Sequence, residues 1–282
     1  MSLDALDRPA TAERDAPQVA AAPRPVPFRG GGFVTRPLAP WIAPVLFAVI
    51  LLLWEAGSRA GVISPIVLPA PSEAVAALVD LVRTGALWQH LSASLYRLVL
   101  GWSAGSLVGV TLGLLIGLFS LARATLVPVV SALFPIPKIA LLPLFIVWFG
   151  IGEGSKVATI FFGTLFPTVI ATYGGVAGVD RGLIRMGQSF GLSWRSVVRK
   201  IVLPGALPAI LSGMRISVSI AIILLVAAEM IGAEYGIGAY ILLAGNLYAI
   251  DQLIAGVAML SVLGLCAGWL LGRVERWTLR WR

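Results

Sequence analysis

The chain has 282 residues, 59% of them hydrophobic and only 12% charged, with a mean hydropathy of +0.95. Soluble domains carry about 25% charged residues, so a water-soluble globular protein is excluded and a polytopic membrane protein is indicated. The net charge of +8 lies in short stretches between apolar runs, which excludes a nucleic-acid surface and marks membrane topology instead.

Residues 1–40 are rich in Ala, Pro, Arg and acidic residues and hold no apolar run, as expected of a disordered tail. They lack the apolar core of a secretory signal, so no cleavage is expected. A first span covers residues 41–56, close to the ~20 residues a bilayer needs. Within the next segment, Leu68-Pro69-Ala70-Pro71-Ser72-Glu73 reads as a helix start and residues 74–82 as a short amphipathic helix. The single histidine, His90, follows Trp88 at the foot of the second span and reads as an interfacial residue without chemistry.

The second span, residues 91–119, repeats Gly101, Gly105, Gly109, Gly113 and Gly117 at every fourth position. These form one glycine row that lets another helix approach backbone to backbone. Arg123 marks a turn. The third span, residues 126–149, holds Pro128, Pro135, Pro137 and Pro143 with Lys138 near its middle. Four prolines predict a broken helix whose freed backbone groups line a cavity or meet protein. The fourth span covers 157–176, with Pro167 inside it, and the fifth covers 209–231. Residues 232–251 connect to a sixth span at 253–271, followed by a tail with Arg273, Arg276, Arg280 and Arg282. The one cysteine, Cys266, lies in the sixth span and excludes a disulfide framework or cysteine-based metal site.

The most informative stretch is the polar, basic interruption from Asp180 to Pro208. Asp180 is placed to cap a helix on which Leu183, Met186 and Phe190 share one face, with Arg181, Arg185 and Gln188 off it. Gly191 breaks that helix. Ser193 then caps a second piece with Trp194, Val197, Val198 and Ile201 at helical spacing, and Pro204 and Pro208 admit the next span. Periodicity alone leaves two readings: a docking surface for another protein, or an amphipathic pair lying flat on the membrane interface.

Six spans put both termini and the 180–204 loop on one side. That side carries fifteen basic residues: five in the N-terminal tail, Arg123, five in the loop and four at the C-terminus. The other side carries four, Arg59, Arg83, Arg97 and Lys156, while Lys138 and Arg215 lie within spans. The positive-inside rule therefore predicts cytoplasmic termini and a cytoplasmic loop. No phosphate-binding Gly-x4-Gly-Lys-[Ser/Thr] occurs, since Lys138, Lys156 and Lys200 are followed by Ile, Val and Ile. Nor is there a carboxylate cluster to hold magnesium. The chain is read as a non-catalytic subunit that hydrolyses no ATP itself and binds no metal or cofactor of its own.

Gly191, nine residues, then Ile201-Val202-Leu203-Pro204 resembles the Gly-x9-Ile-x-Leu-Pro loop of ABC importer permeases. The Glu-Ala-Ala that opens that loop in the family falls on Arg185, Met186 and Gly187, none of which matches. Leu68-Pro-Ala-Pro, Leu87-Trp-Gln-His-Leu, Pro137-Lys-Ile-Ala-Leu-Leu-Pro143, Trp148-Phe-Gly-Ile-Gly, Gly163-Thr-Leu-Phe-Pro167, Leu203-Pro-Gly-Ala-Leu-Pro208 and Glu229 ahead of Gly236-Ile-Gly238 are similar to the nitrate, sulfonate and taurine branch. The likeness runs from Pro65 to the C-terminus. It implies an all-α, type I importer permease (MetI-like) of about six transmembrane helices, spanning residues 41–282, in a bacterial inner membrane. It further implies a homodimer, two ATP-binding subunits holding ATP and magnesium on the cytoplasmic face, and a periplasmic or lipid-anchored solute-binding protein. The 180–204 loop would be the coupling helix, with Leu183, Arg185, Met186, Phe190, Gly191, Ile201, Leu203 and Pro204 at the contact with the ATPase. The solute would be a small anion such as a sulfonate, taurine or nitrate.

Three charged residues within or near spans are candidates for the substrate pathway, because an intramembrane charge is costly to insert. Lys138 either attracts an anion crossing the midplane or pairs with Glu55 or Glu229. Arg215 either faces the pathway or braces the fifth span. Glu229 either gates the outer mouth or bonds a helix end. A rival class, a stand-alone ion-coupled secondary transporter, also uses broken helices and buried charge, but it needs carboxylates at mid-depth, and Glu55 and Glu229 fall near span ends.

Overall fold

The computed structural model describes residues 41–280; the N-terminal tail expected to be disordered, residues 1–40, lies outside them, as does Arg282. Two compact units divide the chain between Val49 and Ile50. Of the first, residues 41–49 are described and form the exposed opening of helix α1 (Ile42–Arg59). The second holds the rest of α1 and α2 (Pro71–Arg83), α3 (Ala86–Leu118), α4 (Ser120–Leu133), α5 (Leu142–Phe149), α6 (Glu153–Ala177), α7 (Arg181–Ser189), α8 (Trp194–Val197), α9 (Leu203–Met230), α10 (Ile237–Asn246) and α11 (Ile250–Thr278). Among the described residues there is no strand.

Five helical stretches are long and apolar enough to cross a bilayer, and six if α4 and the segment Lys138–Phe149 form one span. That sixth span is broken by 86°. Pro135 and Pro137 sit in the break, and neither can donate a helical N–H, so the helix cannot continue through them. Pro143 instead occupies the first turn of α5, where its missing N–H costs nothing.

The core of the second unit is the pair α3 and α6. The glycine row of α3 lies against Ile160, Thr164, Thr168, Thr172 and Val176 of α6, which also recur in steps of four. A Cβ built on Gly101 would lie 2.7 Å from the Ile160 Cβ, on Gly113 2.5 Å from that of Thr172, and on Gly117 2.6 Å from that of Val176. Both rows ascend together, so the helices run in the same direction. Thr164 and Thr168 turn their hydroxyls back onto the carbonyls of Ile160 and Thr164, at 3.0 and 2.8 Å, which leaves methyl groups for the contact. On its other side α6 packs along α9: a Cβ on Gly175 would stand 2.8 Å from the Ala209 Cβ.

Two stretches differ from the sequence reading. The second amphipathic piece of the 180–208 segment is not a separate helix. From α8 the chain passes through one π-helical turn, Val198–Val202, into α9, giving a continuous helical stretch Trp194–Met230 of 37 residues. Pro204 has no N–H, and its ring crowds the carbonyl four residues back. The wider turn, closed by the Leu203 N–H on the Val198 carbonyl, takes the chain up to this proline without a stop. The second difference is that residues 232–251, expected as a connection, contain the short apolar helix α10.

Candidate functional site

Two constellations stand at opposite ends of α6, a helix of about 37 Å at 1.5 Å per residue. At its C-terminal end the chain turns directly into α7. The Asp180 carboxylate accepts from the Gly182 N–H at 2.7 Å and caps that helix. The helix closes at Gly191, where φ is +72°. There the Gly191 N–H donates to the Gln188 carbonyl at 2.9 Å and the Leu192 N–H to the Gly187 carbonyl at 3.1 Å, the Schellman pattern. A side chain at a left-handed φ is strained, which accounts for glycine at the head of the Gly-x9-Ile-x-Leu-Pro spacing.

One face of this segment is packed. Ile184, Leu192 and Ile201 lie against Val176, Val179, Val197, Val202, Ala206 and Ile210, a cluster joining α6, α7, α8 and α9. Gly187 is buried there, and a Cβ on it would come 2.7 Å from the Ile201 Cδ1. The other face is bare: Leu183, Met186, Phe190 and Trp194 are 49%, 56%, 80% and 56% exposed. Arg185 and Gly191 are exposed beside them, whereas Ile201, Leu203 and Pro204 are half-buried beneath. The residues predicted for coupling thus divide into a presented set on α7 and its C-cap and a supporting set where the π-helical turn enters α9.

The second constellation was not legible as a unit. Arg97 on α3 is 3% exposed and Glu229 on α9 is 1% exposed, and they pair at 2.8 Å. Arg97 presents its Nε and Nη2 to Glu153 at the start of α6, each at 2.6 Å, and its Nη1 also donates to the Tyr235 carbonyl at 2.7 Å. Glu229 accepts further from Ser94 Oγ at 2.7 Å and from the Gly238 N–H at 2.8 Å, in the first turn of α10. Ser94 Oγ in turn accepts the Ile237 N–H at 2.8 Å. A carboxylate there is favoured by the helix N-terminus as well as by the guanidinium. Gly236 has φ +144°, and a Cβ on it would fall 2.5 Å from the Glu229 Cδ. His90 adds an Nδ1 within 3.2 Å of the Gly236 N–H. Lys156, 2% exposed, donates to the carbonyls of Ile151, Gly152 and Gly232 at 2.5, 3.0 and 3.3 Å. The whole network fastens α3, α6, α9 and α10 together at one end.

A signal for it exists in the sequence. Arg97 extends the glycine row one step toward the N-terminus, and Lys156 extends the facing row of α6 by one step. A charge in register with a packing row must be buried against the partner helix, so neither belongs with the loop charges.

Of the three pathway candidates, Glu229 is in this network. Lys138 has no carboxylate partner among the described residues: its Nζ donates to the carbonyls of Leu133, Phe134 and Ile136 at 2.8, 3.1 and 2.6 Å. It thereby caps carbonyls at the break between α4 and the segment that follows, and it lies 4.7 Å over the Phe166 ring. Glu55, a predicted partner for Lys138, instead pairs with Arg59 and accepts from the Ser72 N–H at 3.0 Å at the start of α2. Arg215 pairs with Glu275 and joins α9 to α11. No hydrogen bond or ion pair links any two of Lys138, Arg215 and Glu229. Among the described residues, no group of three His, Cys, Asp or Glu side chains is placed to hold a metal.

Comparison with known proteins fits this arrangement. The family described as "Binding-protein-dependent transport system inner membrane component" matches residues 106–280. The chain is 38% identical over 221 residues to the taurine transport system permease protein TauC of Escherichia coli, covering 77% of this chain and 80% of that one. It is 36% identical over 243 residues to the protein assigned as SsuC, an aliphatic sulfonates transport permease of Bacillus subtilis, covering 86% and 88%. Among solved structures, an inward-facing MetNI methionine ABC transporter chain superposes with a TM-score of 0.59 at 21% identity, covering 68% of this chain and 96% of that one, a likeness of fold.

Proposed function

The chain belongs to the family of binding-protein-dependent transport system inner membrane components, and from that premise we propose that it forms the membrane pathway of an ATP-driven importer for a small sulfonate-type anion. It is a multi-pass membrane permease. The proposal adds that two copies pair, that the 180–204 segment faces the cytoplasm and that each copy docks one ATP-hydrolysing subunit there. A solute-binding protein delivers the anion at the other face. The named substrates of the two relatives support the anion class.

The observation that carries the coupling reading is the bare apolar face of Leu183, Met186, Phe190 and Trp194. Leu183, Met186 and Phe190 of α7 and its C-cap, with Trp194 at the start of α8, are presented from a segment whose reverse side is packed on α6 and α9, which makes a rigid contact surface rather than a loose loop. Motion of α7 is transmitted to α9 because Ile184, Leu192 and Ile201 share one core with Val202, Ala206 and Ile210. A nucleotide-driven closure of the ATPase pair shifts the permease only through its preference for one state. Reversing a 1:99 population to 99:1 takes about 5.5 kcal/mol, within the reach of two ATP.

The test is co-purification of the tagged chain with the ATPase encoded in its host, in mild detergent. Phe190→Asp and Gly191→Val are expected to lose the ATPase while the chain still elutes as a folded species. Uptake of a radiolabelled alkanesulfonate into vesicles should then require ATP. Retained ATPase in both variants, or uptake without ATP, would overturn the reading.

A further inference from the structure

The C-terminal end of α11 carries a cationic surface that the transport reading does not use. Between Asp251 and Arg273 α11 holds no charged residue, and 22 residues at 1.5 Å span about 33 Å. That matches the ~30 Å hydrocarbon core of a bilayer, which puts Arg273 at one edge of that core, within side-chain reach of the phosphates, and Asp251 at the other. Arg276 follows one helical turn on, about 4.5 Å further, and Arg280 lies just past the end of α11, both at the level of the headgroups. All three are exposed, together with Trp277 at 67% and Trp269 at 64%. Arg273, Val274, Arg276, Trp277 and Arg280 line one concavity of about 450 Å³.

What distinguishes this end from an ordinary basic tail is its lack of counter-charge. Glu275 is the one acidic side chain from residue 252 to residue 282, and its ion pair is with Arg215 of α9. That pair fixes α11 to α9 and leaves Arg273, Arg276 and Arg280 with no ion pair among the described residues. Three guanidiniums, each a planar fork suited to phosphate oxygens, therefore project beside an indole at headgroup depth. Above them the exposed face of the same helix is apolar: Val262, Leu265, Trp269 and Leu270 are each more than half exposed.

We propose that this concavity binds the phosphate headgroup of an anionic phospholipid whose acyl chains lie along the apolar face of α11. The apolar face supplies contact for the chains and the arginines for the headgroup, a combination that a soluble protein surface does not match.

The purified permease, with whatever partner subunits it retains, is titrated in neutral detergent with a fluorescent phosphatidylglycerol and with the phosphatidylcholine of the same chains. Each arginine near the surface is expected to favour the anionic lipid by about fivefold at low salt. The preference should fall when sodium chloride is raised from 0.1 to 0.5 M, because exposed charges are then screened. The variant Arg273→Gln/Arg276→Gln/Arg280→Gln should lose it, and the corresponding triple lysine variant should keep most of it. If the glutamine variant fails to insert, the salt series on the unaltered protein still decides. Equal affinity for the two lipids, or a preference indifferent to salt, overturns the proposal. So does a glutamine variant that keeps its lipid preference but loses a co-purifying protein, because the surface then belongs to that protein.

Discussion

Replacing Glu229 by alanine tests the buried network most directly. The carboxylate is fully buried and accepts from Ser94 Oγ, Arg97 Nη1 and the Gly238 N–H. Removing one partner of a buried pair costs about 3–5 kcal/mol. Here Glu153 still neutralises the Nε and Nη2 edge of Arg97, and the Tyr235 carbonyl still accepts from Nη1, which places that cost near 3. The orphaned Gly238 N–H adds about 1–3 kcal/mol. The expected loss is about 4–6 kcal/mol, or roughly 10–20 °C on the scale of folded domains of this size. Unfolding of the detergent-purified chain can be followed by the fluorescence of its nine tryptophans. Glu229→Gln, which keeps an acceptor for Gly238 but no charge for Arg97, should fall between. Glu153→Ala should cost less, because that side chain is 51% exposed and water takes its place. The reasoning is refuted if Glu229→Ala melts within 1 kcal/mol of the unaltered chain, or if Glu153→Ala is as damaging.

Other outcomes follow from the same geometry. Gly113→Val should abolish stable expression, since a Cβ there meets the Thr172 Cβ at 2.5 Å and both atoms lie on packed helices; Gly174→Ala, with nothing within 4 Å, should express normally. Leu183→Asp should leave stability unchanged within about 0.5 kcal/mol, as exposed substitutions usually do, while reducing ATPase co-purification at least tenfold. Lys138→Met should destabilise by about 1.5–3 kcal/mol, the value of a charged hydrogen-bond donor to several carbonyls, read in the same melting assay. Arg215→Gln should cost at most about 1 kcal/mol, because its pair with Glu275 is 49% exposed on the arginine side.

The sequence by itself determined the number and order of the apolar spans, the break in the third span and the presented face of α7, though not where the fifth span begins. Each of these is a local matter. Apolar run length sets a span, proline removes a helical N–H, and the 3.6-residue period fixes which of Leu183, Ile184 and Met186 share a side. The glycine at 191 was legible for the same reason, as a left-handed helix stop. The glycine row of α3 was equally visible as a packing face, but not the helix it meets, because periodicity names a face and never its partner.

Only the tertiary structure decided where the charges go. Arg97 and Glu229 are separated by 132 positions and become neighbours because α3 and α9 both pack on α6. Arg97 and Lys156 lie near span ends, as loop charges do; Arg97 is in step with the glycine row, but which residues of α6 face that row, and so the burial of both, is set by the α3–α6 register. The sequence leaves Lys138 an anion or a carboxylate as partner, yet its Nζ bonds three backbone carbonyls that the bend of the third span brings together. Span length, helix stops and faces are written in short-range chemistry. The partner of a buried charge is set by which helices meet, and that is a property of the packed molecule.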